Sequence, residues 1–264
     1  GTTKRSIYHP WPALLAGEPV IDITGFRQTQ AYLNEIGWHL ATGPHIAVEP
    51  VNHSGEKSVK TGWRATNSID SWSWEGCEGR LATVEVYADA ALVTLELDGR
   101  RIGTVKPNDD YQAIFTLPYA PGTLTAIATA ADGTELGRSA LTTAGPELRL
   151  TVDPETTSLV ADGKALLYLP ILLTDDAGTI KPLADRDVTV RVEGAGSLLG
   201  LGSAEAITTE AFAADTHSTF YGRAQAVVRA GVEVGEVTVT VSAEGCETVV
   251  VTVPVAAAAA VTPH

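Results

Sequence analysis

The stretch TVEVYADAALVTLELDGRRIG, residues 83–103, decides the fold, because apolar and polar residues alternate on both sides of one tight-turn signal. Alternation with a period of two is typical of a β-strand with one buried face. The dipeptide Asp98-Gly99 separates the two alternating runs. Both central positions of a type I′ turn need a positive φ, which Asp and Gly tolerate, so the sequence predicts a β-hairpin here.

Further alternating runs follow this hairpin at short and regular intervals. They occupy residues 111–117, 123–130 and 135–143. Frequent strands divided by turn residues predict a β-sandwich. Gly145-Pro146 then interrupts the pattern, as expected at the end of a domain.

A second series of strands follows Gly145-Pro146 and has the size of an immunoglobulin-like sandwich. The runs of this series are residues 147–152, 166–174, 187–193, 223–230, 235–243 and 248–255. Pro170 cannot donate a ladder hydrogen bond, so it predicts a sheet edge or a bulge. The Gly-, Ala- and Thr-rich residues 194–222 predict a long irregular excursion, of the kind that usually binds something or packs on a neighbour.

The first 45 residues differ from the rest because they contain a helical pattern. In TGFRQTQAYLNEIGWHLATG, residues 24–43, five residues fall on or beside one helical stripe. These residues are Phe26, Leu33, Ile36, Gly37 and Leu40. Gly43-Pro44 is the expected end of the helix.

Composition and charge exclude several classes of function. The 264 residues are 44% hydrophobic and 19% charged, as expected for a globular protein with a core. The formal net charge of −14 disfavours nucleic acids and anionic membranes, since both attract basic surfaces. No apolar run is long enough to cross a bilayer. The compartment stays open, because a cytoplasmic and a secreted bacterial parent fit equally well.

The sequence predicts no cofactor and no metal site. Cys77 and Cys246 fall in different predicted sandwiches, so we expect buried thiols rather than a disulfide. The six His residues show no metal-ligand spacing, and the acidic turn pairs lack the spacing of a calcium loop. A Ser-His-Asp arrangement and a phosphate-binding loop are also not identified in the sequence.

Several phrases together resemble the C-terminal part of family-2 glycoside hydrolases, the β-galactosidase group. DITGFRQTQAYLNEIGW (22–38) resembles the last strand and helix of their catalytic barrel. SWSWEGCEGR (71–80) resembles the turn before the main strand pair of their fourth domain, and VEVYADAALVTLELDGRRIG (84–103) is the most specific match. GAGSLLGLGSAE (194–205) and FYGRAQAVVRA (220–230) resemble strands of their fifth domain.

The resemblance and the strand pattern together predict the domain organisation. We expect a mainly β chain with two immunoglobulin-like β-sandwich domains in tandem, preceded by a short α-helical remnant of a (β/α)8 barrel. The predicted boundaries are 1–45 for the barrel-end segment with one helix, 46–145 for the first β-sandwich, 146–256 for the second sandwich and 257–264 for a tail.

The resemblance implies that this chain carries no catalytic residue. Family members hydrolyse β-glycosides with two Glu residues at barrel strand ends, one of them inside an Asn-Glu pair. By the resemblance, both would lie upstream of Gly1. Asn34-Glu35 falls inside the predicted helix, where its side chains would project from the outside of a barrel. Retaining hydrolysis also needs two carboxyl groups about 5–5.5 Å apart, so Glu35 alone cannot perform it.

Three tryptophans are candidates for carbohydrate binding. Trp11 lies in what resembles the loop between the seventh and eighth barrel strands, which could border a sugar site. Trp72 and Trp74 could act as platforms on which sugar rings stack. Alternatively, their period-two spacing places them in a sandwich core, which the resemblance favours. A stand-alone carbohydrate-binding module is therefore the alternative function, and an adhesion or structural array is a third.

The predicted partners are the upstream catalytic barrel of the parent chain and carbohydrate, and a homo-oligomer is compatible with the sequence. The apolar side chains of Phe26, Ile36 and Trp38 would form a surface that needs a cover. We expect the first sandwich or another copy of the chain to cover it.

Overall fold

The computed structural model describes residues 12, 20–56 and 65–257. The chain divides into two compact units, Gly1–Ala144 and Gly145–His264. Regular structure is mainly β-strand in sandwich-like arrangements, as the sequence predicted. Cys77 and Cys246 are both free and lie in different units.

In its described residues, the first unit contains one helix, one 3-10 turn and seven strands. These elements are α1 (Thr29–Gly37), β1 (His45–Val48), the 3-10 turn (Val51–His53), β2 (Leu81–Tyr87), β3 (Leu92–Leu97), β4 (Arg100–Val105), β5 (Gln112–Pro118), β6 (Thr123–Thr129) and β7 (Glu135–Thr142). The strands form two antiparallel sheets in the orders β1-β2-β5 and β4-β3-β6-β7. Inward residues such as Val84, Val93 and Leu124 are fully buried.

The hairpin predicted at Asp98-Gly99 is confirmed. β3 and β4 pair with Leu97 opposite Arg100, and the two turn residues have φ values of 50° and 75°. The Asp98 carboxylate accepts a hydrogen bond of 2.7 Å from the backbone N–H of Thr123. A β-carbon at Gly122 would come within 2.4 Å of that carboxylate, so glycine is required where the β5–β6 turn passes it.

The helix is shorter than predicted. It ends at Gly37 rather than at Gly43-Pro44, and the backbone N–H groups of residues 38, 39 and 40 donate the last hydrogen bonds to its carbonyl groups. His39 adopts a φ of 57°, a left-handed conformation that terminates a helix. Leu33 and Ile36 are buried, but Leu40 is 72% exposed and does not share their face.

The second unit, as far as residue 257, is a sandwich of nine strands. They are β8 (Arg149–Val152), β9 (Leu159–Val160), β10 (Leu166–Thr174), β11 (Asp187–Gly194), β12 (Gly196–Gly202), β13 (Thr216–Ser218), β14 (Arg223–Ala230), β15 (Gly235–Ala243) and β16 (Val249–Ala256). The sheet orders are β12-β14-β10-β8 and β13-β11-β15-β16-β9. Alternate residues of both sheets, such as Leu169 and Val239, form one buried core.

The prediction of a sheet edge or bulge at Pro170 is wrong. β10 lies between β14 and β8, and Pro170 pairs in register with Gln225. On the other side β8 pairs only with the residues from Ile171 onward. The Pro170 carbonyl accepts a hydrogen bond of 3.3 Å from the N–H of Asp153, which lies just past the end of β8. The Pro170 nitrogen, which has no hydrogen to donate, therefore lies beyond the regular pairing of β10 with β8.

The prediction that residues 194–222 are irregular is also wrong in part. They contain β12 and β13 as well as the connecting segment. Glycines concealed the alternation of β12, and Leu199 is an extra residue in a bulge against β14. Gly202 must lack a β-carbon, because that atom would lie 2.3 Å from the Phe212 ring that packs on the strand.

Candidate functional site

The structure places Trp72 and Trp74 in the interior of the first unit, with 0% of either residue exposed. The indole N–H of Trp72 donates to the Ala120 carbonyl at 3.1 Å, and its ring meets the Tyr119 ring edge-on with centroids 4.9 Å apart. The indole N–H of Trp74 donates to the Ser71 carbonyl at 3.3 Å. Neither indole therefore presents a face to solvent on which a sugar ring could stack.

Asn34-Glu35 lies on α1, and Glu35 is engaged in an ion pair. Its carboxylate contacts the guanidinium group of Arg27, which also lies 4.3 Å above the centre of the Tyr32 ring. The hydrogen bond that Arg27 donates to Glu35 raises the pKa of Arg27. Both charged side chains are about two-fifths exposed, 43% for Arg27 and 38% for Glu35, so they belong to the helix surface.

A buried carboxylate lies on the face of β2 that α1 covers. Glu85 is 0% exposed. Its Oε2 atom accepts hydrogen bonds from Thr66 Oγ1 at 2.5 Å and from the Tyr87 hydroxyl at 2.6 Å. Burial, followed by the charge of Glu85, raises the pKa of Tyr87 well above its ordinary value. Tyr87 therefore remains a neutral hydrogen-bond donor to the carboxylate.

Sequence reasoning missed this buried site. In an alternating strand, Thr83, Glu85 and Tyr87 share one face. A Glu on a strand face normally predicts that the face is exposed to solvent. The only sequence signal is the large aromatic Tyr87 beside the Glu, because a face that carries Tyr is often covered by another element.

A ring stack and an acid–imidazole pair connect α1 to the same sheet. The rings of Tyr32 and His45 lie nearly parallel, with centroids 3.7 Å apart, and Tyr87 lies on the other side at 6.1 Å. His45 Nε2 is 2.9 Å from Asp70 Oδ1. Tyr32 belongs to α1, so these contacts position the helix on β1 and β2.

An apolar contact beside this stack also fixes the helix. Leu33 and Ile36 of α1 pack with Ala47 of β1 and Tyr87 of β2 in one buried cluster. The first sandwich thus covers Ile36, as predicted, and leaves it 1% exposed. Each buried aliphatic side chain of this size contributes about 1.5–3 kcal/mol.

Large apolar side chains remain exposed at both ends of α1. Ile21 and Ile23 precede the helix and are more than half exposed. Trp38 follows the helix and is 70% exposed, and Leu40, two residues later, is 72% exposed. The first sandwich therefore does not cover Trp38, while Phe26 is half-buried. Exposed apolar side chains grouped around one helix are typical of a surface that contacts a further domain or partner.

The described residues limit what the structure says about the remaining candidate sites. Trp11 lies outside them. Within residues 20–56 and 65–257, no three His, Cys, Asp or Glu side chains gather in a way that could hold a metal ion. No helix in those ranges is both long and apolar enough to cross a membrane.

Two family models match this chain. Residues 150–252 match the C-terminal domain 5 of glycoside hydrolase family 2. Residues 79–137 match a domain of unknown function, DUF4982. The matches fall in the second and the first unit, respectively.

Known proteins are similar to this chain in sequence and structure. The β-galactosidase BoGH2A of Bacteroides ovatus is 24% identical over 236 residues, which are 89% of this chain and 25% of the relative. A crystal structure of a family-2 member from Bacteroides cellulosilyticus is 30% identical with a TM-score of 0.83, and the alignment covers 91% of this chain and 32% of that one.

A β-glycosidase structure from Bacteroides vulgatus has the same fold. It is 20% identical, with a TM-score of 0.74 over 93% of this chain and 29% of its own. This chain thus spans about a quarter to a third of the length of the relatives it matches.

Proposed function

Because this chain is a C-terminal region of a glycoside hydrolase family 2 protein, we propose that it is the non-catalytic accessory region of a β-galactosidase-like enzyme. The enzyme hydrolyses β-glycosidic bonds in carbohydrates with retention of configuration. The catalytic carboxylates belong to another part of the same protein. The share of the relatives' length that this chain spans supports this assignment.

The state of Glu35 is the observation that carries the proposal. A retaining glycosidase needs two carboxyl groups about 5–5.5 Å apart, one of them protonated before the reaction. Glu35 instead pairs with a cation, Arg27, on the surface of a helix. An ion pair on an exposed helix surface is the arrangement of an ordinary surface carboxylate.

The partner of this region is the remainder of the parent chain. Trp38 and Leu40 at one end of α1, and Ile21 and Ile23 at the other, lack a cover in this chain. Burial of such side chains against a further domain would stabilise their contact by about 25 cal/mol per Å² of apolar surface. A second copy of the chain is the competing occupant.

A turnover assay tests the absence of catalysis. The purified chain should not hydrolyse p-nitrophenyl β-galactoside faster than buffer, and Glu35→Gln should change nothing. Turnover by the chain that disappears in the Glu35→Gln variant would overturn the proposal. The matched control is Glu247→Gln, since Glu247 is an exposed carboxylate in the second unit.

The alternative function, a stand-alone carbohydrate-binding module, would use Trp72 or Trp74 as its platform. Both side chains are fully buried, so this module would require the first unit to open. Binding of galactosides that depends on either residue would favour the module over the accessory role.

A further inference from the structure

Three apolar side chains form a row across the outward face of the β12-β14-β10-β8 sheet. Tyr168 of β10 pairs directly with Val227 of β14, and Val227 pairs on its other side with Gly200 of β12. Leu199 is the extra residue of the bulge at that point. We call Leu199, Val227 and Tyr168 the Tyr168 row.

The row points away from the core of the second unit. The residues next to Tyr168 and Val227 on their strands, Leu167, Leu169 and Val228, all belong to the buried core. Successive side chains of a strand alternate between faces, so the row lies on the opposite face. Tyr168 is 39% and Leu199 47% exposed.

Polar residues flank the row on both sides, an exposed Arg229 on one and a buried Gln225 on the other. On one side Arg229 pairs with Leu166 and with Ser197 of the edge strand. On the other side Gln225 pairs with Pro170 and Gly202. Within the described residues, the Arg229 guanidinium group and the Tyr168 hydroxyl make no hydrogen bond or ion pair. The row is therefore a narrow apolar strip with unused hydrogen-bonding groups beside it.

We propose that the Tyr168 row binds a carbohydrate chain. A pyranose ring has an apolar face of C–H groups and a rim of hydroxyl groups. The Tyr168 ring and the two aliphatic side chains offer the apolar surface, and the exposed Arg229 guanidinium group and the Tyr168 hydroxyl offer hydrogen bonds to the rim. The strands lie about 4.8 Å apart, so the row spans about 10 Å, and more than one sugar ring can lie along it.

The size and charge of this surface disfavour other occupants. A stable protein interface buries about 800 Å² on each partner, which is much more than three partly exposed side chains supply. The net charge of −14 disfavours nucleic acids and anionic lipids. A neutral, amphipathic polymer is the class of ligand that remains. This site goes beyond the accessory role, which assigns no ligand to the second unit.

Isothermal titration calorimetry tests the site. The whole chain is titrated with a β-1,4-linked galactotetraose and, separately, with cellotetraose. We expect millimolar or tighter binding of at least one tetrasaccharide. Tyr168→Ala should weaken it at least about tenfold, since a stacked ring contributes about 1.4 kcal/mol or more. Arg229→Gln should weaken it about threefold to tenfold without affecting the fold, because Arg229 is exposed.

Leu136→Ala is the matched control, because Leu136 is an exposed apolar residue in the other unit. It should bind as the unchanged chain does. The absence of a saturable heat signal with either sugar up to about 10 mM would contradict the proposed site. Binding by the Tyr168→Ala and Arg229→Gln variants that is as tight as binding by the unchanged chain would also contradict it. Because the assay involves no catalytic partner, its failure would leave the accessory role standing, and failure of the accessory role would leave this site standing.

Discussion

Tyr87 donates a hydrogen bond to a carboxylate that has no access to solvent, and this contact is the critical polar interaction under α1. Tyr87→Phe removes the donor and leaves the Glu85 oxygen with fewer partners. We expect the free energy of unfolding of the first unit to fall by about 1–3 kcal/mol. All five Trp residues lie in the first unit, so tryptophan fluorescence during urea unfolding reports on that unit alone.

The matched control for Tyr87→Phe is Thr123→Val. Thr123 makes an exposed side-chain hydrogen bond of 3.2 Å to Thr142 in the same unit. Its loss should change the free energy of unfolding by less than about 0.5 kcal/mol. Equal effects of the two substitutions would contradict a special role for the buried pair.

Glu210 gives the second unit a pH-dependent contribution to stability. Burial alone would raise the pKa of this carboxyl group. Hydrogen bonds from Ser218 and Thr208, together with nearby His217, outweigh burial and lower the pKa. A carboxyl group with a lowered pKa in the folded state stabilises the fold above its ordinary pKa, near 4.5, and loses that contribution as the pH falls through the folded value.

We expect Glu210→Gln to lower the stability of the second unit by about 1 kcal/mol at pH 7, a value reduced for its partial exposure. The difference from the unchanged chain should shrink as the pH falls below 4.5 and vanish only below the lowered pKa of folded Glu210, where both side chains are neutral. Calorimetry at several pH values measures this difference. Glu247→Gln, at an exposed carboxylate, should show no pH-dependent difference. A loss at pH 7 that persists unchanged in acid would assign the effect to packing instead of charge.

At the scale of elements, α1 depends on one buried face. Ile36 is 1% exposed between β1 and β2, whereas Leu40, three residues past the helix, is 72% exposed. Ile36→Ala should destabilise the first unit by about 2–5 kcal/mol, through lost burial and the cavity left behind. Leu40→Ala should change stability by less than about 0.5 kcal/mol. Fluorescence-detected urea unfolding distinguishes the two, and a large loss for Leu40→Ala would show that Leu40 is covered in solution.

The elements that the sequence predicted well are those whose signals are local. The β3–β4 hairpin depends on the conformations that Asp98 and Gly99 tolerate, and these are properties of two adjacent residues. The end of α1 was misplaced because His39, which is not a usual terminator, takes the left-handed conformation. β12 was missed because its glycines and the bulge at Leu199 remove the alternation that identifies a strand.

The buried groups of the site depend on contacts between distant residues, so the sequence did not reveal them. Glu85 is buried because α1, about 50 residues earlier in the chain, covers its face of β2. Trp72 and Trp74 could be assigned to a core or to a surface from their spacing alone. Their burial follows from partners such as Tyr119, more than 40 residues later.

At the scale of the whole molecule, the accessory role predicts which surface meets the catalytic remainder of the parent protein. The exposed Trp38 and Leu40 lie at one end of α1 in the first unit. Val232 and Val234 of the second unit are 75% and 66% exposed. They serve as the control surface, because they are similarly exposed and apolar but are not proposed to contact the remainder. A charge placed in a buried apolar contact is costly, whereas the same charge on a free surface is tolerated.

We therefore expect the double variant Trp38→Asp, Leu40→Asp to lose co-purification with the separately expressed catalytic remainder. The matched variant Val232→Asp, Val234→Asp should co-purify as the unchanged chain does. Size-exclusion chromatography of the chain alone detects the competing arrangement, in which a second copy covers Trp38. Two results together would contradict this prediction: the unchanged chain forms dimers that the Trp38→Asp, Leu40→Asp variant does not form, and the chain does not associate with the catalytic remainder. The surface would then be a contact between two copies of the chain and not the contact with the catalytic domain.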